Sequence, residues 1–171
     1  MQTWDAVRAR RNVRSFEDRP LPDADLQRVL EAGWRAPSAS NNQQREFVVV
    51  TDRATLAELS RIRQGVAYIA GAAAVVALVY PPAGDERGAA FGAFDQGQAT
   101  MAMMVTAADL GIGSGHAAVD DDDLARRLLG YPEDRRCDIL IALGYPADRP
   151  LAPVQHPKRR PLDEVVHRGR W

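Results

Sequence analysis

Cysteine and lysine are nearly missing from this chain of 171 residues: Cys137 and Lys158 are the sole examples of each. With one cysteine no intramolecular disulfide can form, which is compatible with a reducing cytoplasm. Excess charge of one sign is also missing. Lys and Arg total 22 against 23 Asp and Glu, leaving a net charge of -1 and a pI near 6.3. A nucleic-acid partner is not expected, because such domains usually have a pI above about 9. No apolar run is long enough for a membrane. Ile69 to Tyr80 falls well short of the roughly 20 residues a spanning helix needs. Residues 1–9 read as an amphipathic helix without the apolar stretch of a signal peptide. The expectation is a soluble cytoplasmic protein.

Several chemical motifs are absent as well. No glycine loop is followed by the Lys-Ser/Thr of a P-loop, and no Gly-x-Ser-x-Gly supplies a serine nucleophile. His116, His156 and His167 lack zinc-ligand spacing. Asp120 to Asp123 lacks the alternating ligands, central glycine and distal glutamate of a calcium loop, so it reads as a solvated helix start. No metal site is expected. Gly111, Gly113 and Gly115 follow a helical pattern rather than a strand, which argues against a dinucleotide fingerprint. A turn after a helix is the preferred reading there. His116 reads equally well as a site residue or an exposed histidine.

What is present is ordinary for a globular chain: 46% apolar and 26% charged residues. Residues 1–171 read as one domain, with 147–171 as a proline-rich, charged C-terminal arm. The arm is not expected to form a compact element; disorder and wrapping around a partner both remain open. Thr3 can cap a helix from Trp4 to about Arg10, and Asp23 opens a second one that stops near Ala36-Pro37. Phe47 to Val50 reads as a strand buried on both faces, and Ala72 to Tyr80 as another. Asp52 can cap a helix from Ala54 to about Arg61. Ala89 to Leu110 is a helical pattern with small residues (Gly92, Gly97, Ala99, Ala102) that suit close approach by another helix. A helix from Asp120 to Leu129 is closed by Gly130, and Asp138 to Leu143 makes a third strand. Strands separated by helices define an α/β or α+β class with a central sheet.

The densest chemistry is Arg8, Arg10, Arg11 and Arg14, near Asn12 and Ser15. Like charges at close spacing repel, so the cluster points to a bound anion that relieves the repulsion. A second basic group, Lys158-Arg159-Arg160, lies in the arm. Two such groups can converge on one phosphate through charge-assisted hydrogen bonds. Cys137 reads as core.

Arg10-Arg11-Asn12-Val13-Arg14-Ser15-Phe16 resembles the Arg-Arg-Ser-x-Arg-x-Phe signature of the FMN-dependent nitroreductase family. Ala36-Pro37-Ser38-Ala39-Ser40-Asn41-Asn42-Gln43 is similar to that family's Ala-Pro-Ser-x-x-Asn-x-Gln loop. Asp95 to Ser114 is similar to its central helix and glycine-rich ending. Ala142 to Pro146 and Lys158 to Leu162 resemble its last strand and basic tail. The resemblance implies an α+β fold with a mixed central sheet flanked by helices, in a domain-swapped homodimer with FMN at the interface. Arg10, Arg11, Asn12 and Arg14 would contact phosphate, ribityl chain and ring, with Lys158 and Arg160 completing the phosphate site. Pro37, Ser38, Ala39 and Asn41 would come from the partner subunit, and His116, Ala117 and Ala118 would lie near the flavin N5. Arg8 falls outside the signature and reads as an ordinary surface charge.

The resemblance further implies NAD(P)H-dependent reduction of nitroaromatics or quinones by ping-pong hydride transfer, with no catalytic side chain beyond the flavin. Alternatives are a flavin-dependent dehydrogenase or oxidase, a flavin-consuming enzyme, and a non-catalytic flavin-binding protein. Many family members carry Pro-Trp where this chain has Gln44-Arg45, so a more polar or more open substrate wall is expected.

Overall fold

The computed structural model describes residues 2–171. Helix α1 (Thr3–Ala9) is followed by α2 (Asp23–Arg35), strand β1 (Glu46–Val50) and helix α3 (Arg53–Leu59). Strand β2 (Ala74–Tyr80), the long helix α4 (Glu86–Asp109) and strand β3 (Gly113–Ala118) come next. Helix α5 (Asp122–Leu129) and strand β4 (Arg136–Gly144) complete the set, and the arm holds only a short 3-10 turn at Leu162–Glu164.

The four strands form one sheet in the order β1-β2-β4-β3. Every neighbouring pair is antiparallel, with Val48 opposite Ala77, Ala77 opposite Leu140, and Leu140 opposite Ala117. The mixed sheet expected from the family resemblance is therefore corrected. Its parallel component is a single bridge between Asn12 and Ser114, because residues 10–16 run beside β3 without the repeated bonds of a strand.

Alternation along the strands feeds two cores. One face places Val75, Ala77, Val79, Leu140 and Ala142 against Leu56, Leu59, Ile69 and Ala125. The other places Val76, Leu78, Ile141 and Leu143 against Val29, Met103, Met104 and Ala107. β2 is thus buried on both faces, as its continuous apolar run predicts. β1 is not: as an edge strand it leaves Val49 38% exposed, and one of its faces looks onto an open groove. An apolar run alone does not distinguish an edge from a centre.

The helix ends follow local rules in part. The Asp52 carboxylate accepts from the Thr55 N–H at 2.8 Å, and Gly130 ends α5 in the left-handed region. Thr3 does not cap α1. It is itself the first helical residue, and the cap position falls on Gln2, whose side chain makes no capping bond. The close helix–helix approach occurs at Gly33 of α2, where an added Cβ would sit 1.9 Å from the Met103 Cε. On α4, an added Cβ at Gly97 would meet nothing within 4 Å.

The glycine-rich stretch is mostly a strand, not the turn the sequence suggests. Only Gly111, at φ +75°, makes the turn. Gly113 and Gly115 are needed for close approach. An added Cβ at Gly113 would lie 2.7 Å from Val13 Cγ2, and one at Gly115 would lie 2.5 Å from the Val13 carbonyl oxygen. The scarcity of large apolar residues hid this strand from periodicity. Cys137 is buried, and burial pushes its thiol up to about 12, as suits a core residue.

Replacing Gly115 with Ala forces a methyl into main chain and is expected to destabilise the fold by about 1–3 kcal/mol. Gly71→Ala, where an added Cβ meets nothing within 4 Å, serves as the near-neutral control. Denaturant unfolding of the two variants beside the parent chain measures the difference.

Candidate functional site

The arginine-rich segment leaves α1 at Arg10 and lies along the outer edge of β3. The Val13 N–H donates to the Ser114 carbonyl at 2.9 Å, and Val13 itself is fully buried. Phe16 then packs against Gly144, where an added Cβ would lie 2.9 Å from its ring. Two anchors, buried Val13 and half-buried Phe16, therefore fix the polar residues between and beside them.

The four arginines divide into two pairs. Arg11 Nη2 donates to the Asp148 carboxylate at 2.6 Å and to the Arg149 carbonyl at 2.8 Å. That bond holds the Asp148 carboxyl below its ordinary range. Arg8 Nη2 donates to Gln155 Oε1 at 2.8 Å, while the Arg8 carbonyl accepts from the Val154 N–H at 3.1 Å. Arg8 and Arg11 thus fasten the start of the arm to α1. Arg8 is a surface charge, as the sequence suggests, but one that also bonds the arm; nothing in its local pattern signals a partner 147 positions away.

Arg10 and Arg14 are less engaged. Arg10 makes one long bond to Asn12 Oδ1 at 3.4 Å. Arg14 is exposed, and its guanidinium has no hydrogen-bond or ion-pair partner among the described residues. Its charge acts on Tyr68, whose hydroxyl is pushed above its ordinary value by burial and pulled back by Arg14. The Tyr68 hydroxyl in turn donates to the His116 carbonyl at 3.1 Å. Arg14, Tyr68 and His116 therefore share one corner of the molecule. His116 is exposed on β3, Ala117 is buried and Ala118 half-buried.

The Pro37–Asn41 loop belongs to a different part of the surface. The Ala39 N–H donates to both oxygens of Asp95 on α4, at 3.1 and 3.0 Å, and the Gln43 N–H donates to Ser38 Oγ at 3.1 Å. Ser40, Asn41 and Gln43 all lie in the left-handed region, at φ 51°, 54° and 52°. Beside this loop opens a cavity of about 560 Å³, with Ser40, Gln44, Phe91, Tyr80 and Gln96 among its lining. Tyr80 donates to Asp138, and burial with that bond pushes its hydroxyl up to about 12. Gln96 Oε1 is buried there without a partner among the described residues. Gln44 and Arg45 both line the cavity, in place of the Pro-Trp of many relatives. The Arg45 guanidinium turns back to donate to the Ala36, Pro37 and Asp95 carbonyls, and burial draws its pKa below the ordinary value against the pull of Asp95.

Lys158 and Arg160 sit in the exposed arm, a few residues beyond the Gln155 anchor. Arg160 Nε lies 3.5 Å from Glu164 Oε2. The chain thus carries a basic corner at residues 10–14 with His116, and a separate strained loop at 37–43.

The sequence profile of the Nitroreductase family matches residues 7–66 and 60–145. An NADH dehydrogenase of Thermus thermophilus is 30% identical over 195 residues, covering 94% of this chain and 93% of that protein. The NADPH:FMN oxidoreductase of Vibrio harveyi, solved with NAD+, superposes with a TM-score of 0.84 at 26% identity, covering 97% of this chain and 76% of that one. An FMN-dependent nitroreductase of Clostridium difficile gives a TM-score of 0.83 at 22% identity, covering 97% and 98%. The chain belongs to the nitroreductase family.

The arm's anchorage has a pH consequence. A depressed folded-state pKa at Asp148 means its contribution is complete above the ordinary carboxylate value and is lost as pH falls through the lowered one. Asp148→Asn is expected to raise tryptic cleavage after Lys158 and Arg159 several-fold at neutral pH, with the core intact. Protection of the parent arm against hydrogen exchange, corrected for the intrinsic rate at each pH, should fall only in acid, below the ordinary carboxylate range. Mass spectrometry of timed digests and exchange series measures both.

Proposed function

We propose that this nitroreductase-family member is an FMN-dependent oxidoreductase that takes hydride from NADH or NADPH and passes it to electron-poor acceptors such as nitroaromatics and quinones. The observation that carries this reading is Arg14: an exposed, unpartnered guanidinium on a segment fixed to β3 by buried Val13, beside Tyr68 and His116. Arg10 and Arg14, unlike Arg8 and Arg11, are kept near one another by the fold without a carboxylate partner among the described residues. That suits an anionic ligand, and the donor set fits FMN, whose phosphate and whose reduced ring both carry negative charge.

FMN, when bound, supplies the hydride-accepting and hydride-donating atom. This chain's residues do the rest. Arg10 and Asn12 serve the phosphate and ribityl chain, with Lys158 and Arg160 brought from the arm. Arg11 carries a double duty in this reading, because its bond to Asp148 also places the arm that delivers those cations. Arg14 holds positive charge where negative charge accumulates on reduction, and so favours the reduced state. His116, Ala117 and Ala118 give the ring's reactive side a main-chain wall, on the strand whose outer edge has no strand partner. With donor and acceptor using the same flavin in turn, the kinetics are ping-pong.

A homodimer completes the site in this proposal. Pro37, Ser38, Ala39 and Asn41 line the partner subunit's flavin, which accounts for their separation from the basic corner on one chain. Supporting surface exists: Phe94 is 65% exposed, and Phe91, Met101 and Trp34 are also exposed, with Gly97 open between Phe94 and Met101. Monomers rarely leave such apolar area contiguous. The arm, exposed from Val154 to its end, would then wrap the second copy as a swapped element.

Purified protein is expected to be yellow, to release FMN identifiable by mass spectrometry, and to oxidise NADH or NADPH with a nitroaromatic or quinone. A colourless protein that takes up no added FMN defeats the reading. Arg14→Ala is expected to lower the flavin midpoint potential by about 30 mV or more, a tenfold change for a two-electron couple. Spectroelectrochemical titration measures it, and an unchanged potential removes Arg14 from the ring edge.

A further inference from the structure

We propose that Arg45 is a positioning residue that clamps the Pro37–Asn41 loop into its flavin-facing shape from behind; this rests on the reading that the loop faces FMN. Three non-glycine residues within four positions, Ser40, Asn41 and Gln43, adopt left-handed φ. Each such residue costs free energy, and the conformation persists only where its surroundings over-determine it. The loop's own bonds, Ser38 Oγ to the Gln43 N–H and Gln43 Nε2 to the Asn41 carbonyl, lie on its exposed side. They are open to competition from water.

The restraint comes from two buried or half-buried groups outside the loop. Asp95, 5% exposed, accepts the Ala39 N–H with both carboxylate oxygens. Arg45 reaches the other side of the same turn. Its Nη1 donates to the Pro37 carbonyl at 2.8 Å and to the Asp95 carbonyl at 2.8 Å, while Nη2 donates to the Ala36 carbonyl. A planar fork with several fixed donors suits this task, since it spans carbonyls on the loop and on α4 at once. The guanidinium also lies past the end of α2, where the carbonyl ends of the helix favour positive charge. Loop, α2 and α4 are thereby locked to one another through one side chain. Lysine, whose donors sit on one nitrogen, can approach the pair of carbonyls that Nη1 serves but lacks the second arm of the fork.

The test titrates FMN into apo-protein and follows quenching of flavin fluorescence, for the parent chain, R45A and R45K. R45A is expected to raise the FMN Kd about tenfold or more, and R45K by a smaller factor. Added methylguanidinium is expected to restore affinity to R45A but leave the parent unchanged, a rescue that general loss of stability would not show. Circular dichroism of the apo-proteins checks folding; if R45A does not fold, R45K decides, with a clear rise in Kd supporting the clamp. Parent-like affinity in a folded R45A, or in R45K where it alone folds, overturns it, as does an R45A defect that methylguanidinium does not relieve. A parent chain that binds no FMN fails the functional reading instead, so the two outcomes are separable.

Discussion

The bond from the Val13 N–H to the Ser114 carbonyl, and the bare glycine edge that permits it, organise most of what this molecule does. Arg10 to Phe16 is irregular chain with several cations. Left to itself it would spread into solvent. Val13 packs its side chain against Gly113 and its carbonyl against Gly115, Phe16 packs against Gly144, and the cations between and beside them are placed by that packing. Hydrophobic packing here sets the positions of charges, so the electrostatics need no internal counter-ion at Arg14. An anion entering the corner meets cations whose backbone is already placed, so that only their side-chain freedom remains to be lost.

The arginine cluster is also divided in its work. Arg8 and Arg11 face the arm and fix residues 148–155 to α1. Arg10 and Arg14 face outward. The arm's Lys158-Arg159-Arg160 group begins just past the last anchor, Gln155, so the distance between the two basic groups is governed by a short, tethered stretch of chain. Tethering raises the local concentration of the second group about the first.

Much of this was legible in the sequence where local rules dominate. Asp52 and Gly130 announced the helix ends they make, and the apolar run in β2 announced a central strand. The motif order from Arg10 to Arg160 named the family that the profile then matched. The rest turned on long-range contacts. β3 escaped notice because a strand made of Gly, Ser, His and Ala has no apolar period; its glycines answer to Val13, about 100 positions earlier. β1 is an edge strand although its apolar run matches that of a central one, because edge and centre differ by what lies beside them. The role of Arg8 depends on Gln155, and that of Arg45 on carbonyls of the preceding turn and of α4. In each case the residue type was visible and its partner was not.

The scarcity of lysine has a practical side. Lys158 is the only lysine in the chain, and it stands exposed on the arm, beyond the anchors at Asp148 and Gln155. An amine-reactive probe therefore has a single side-chain address. A fluorophore placed there would report where the arm goes, without a cysteine having to be engineered or the buried Cys137 disturbed.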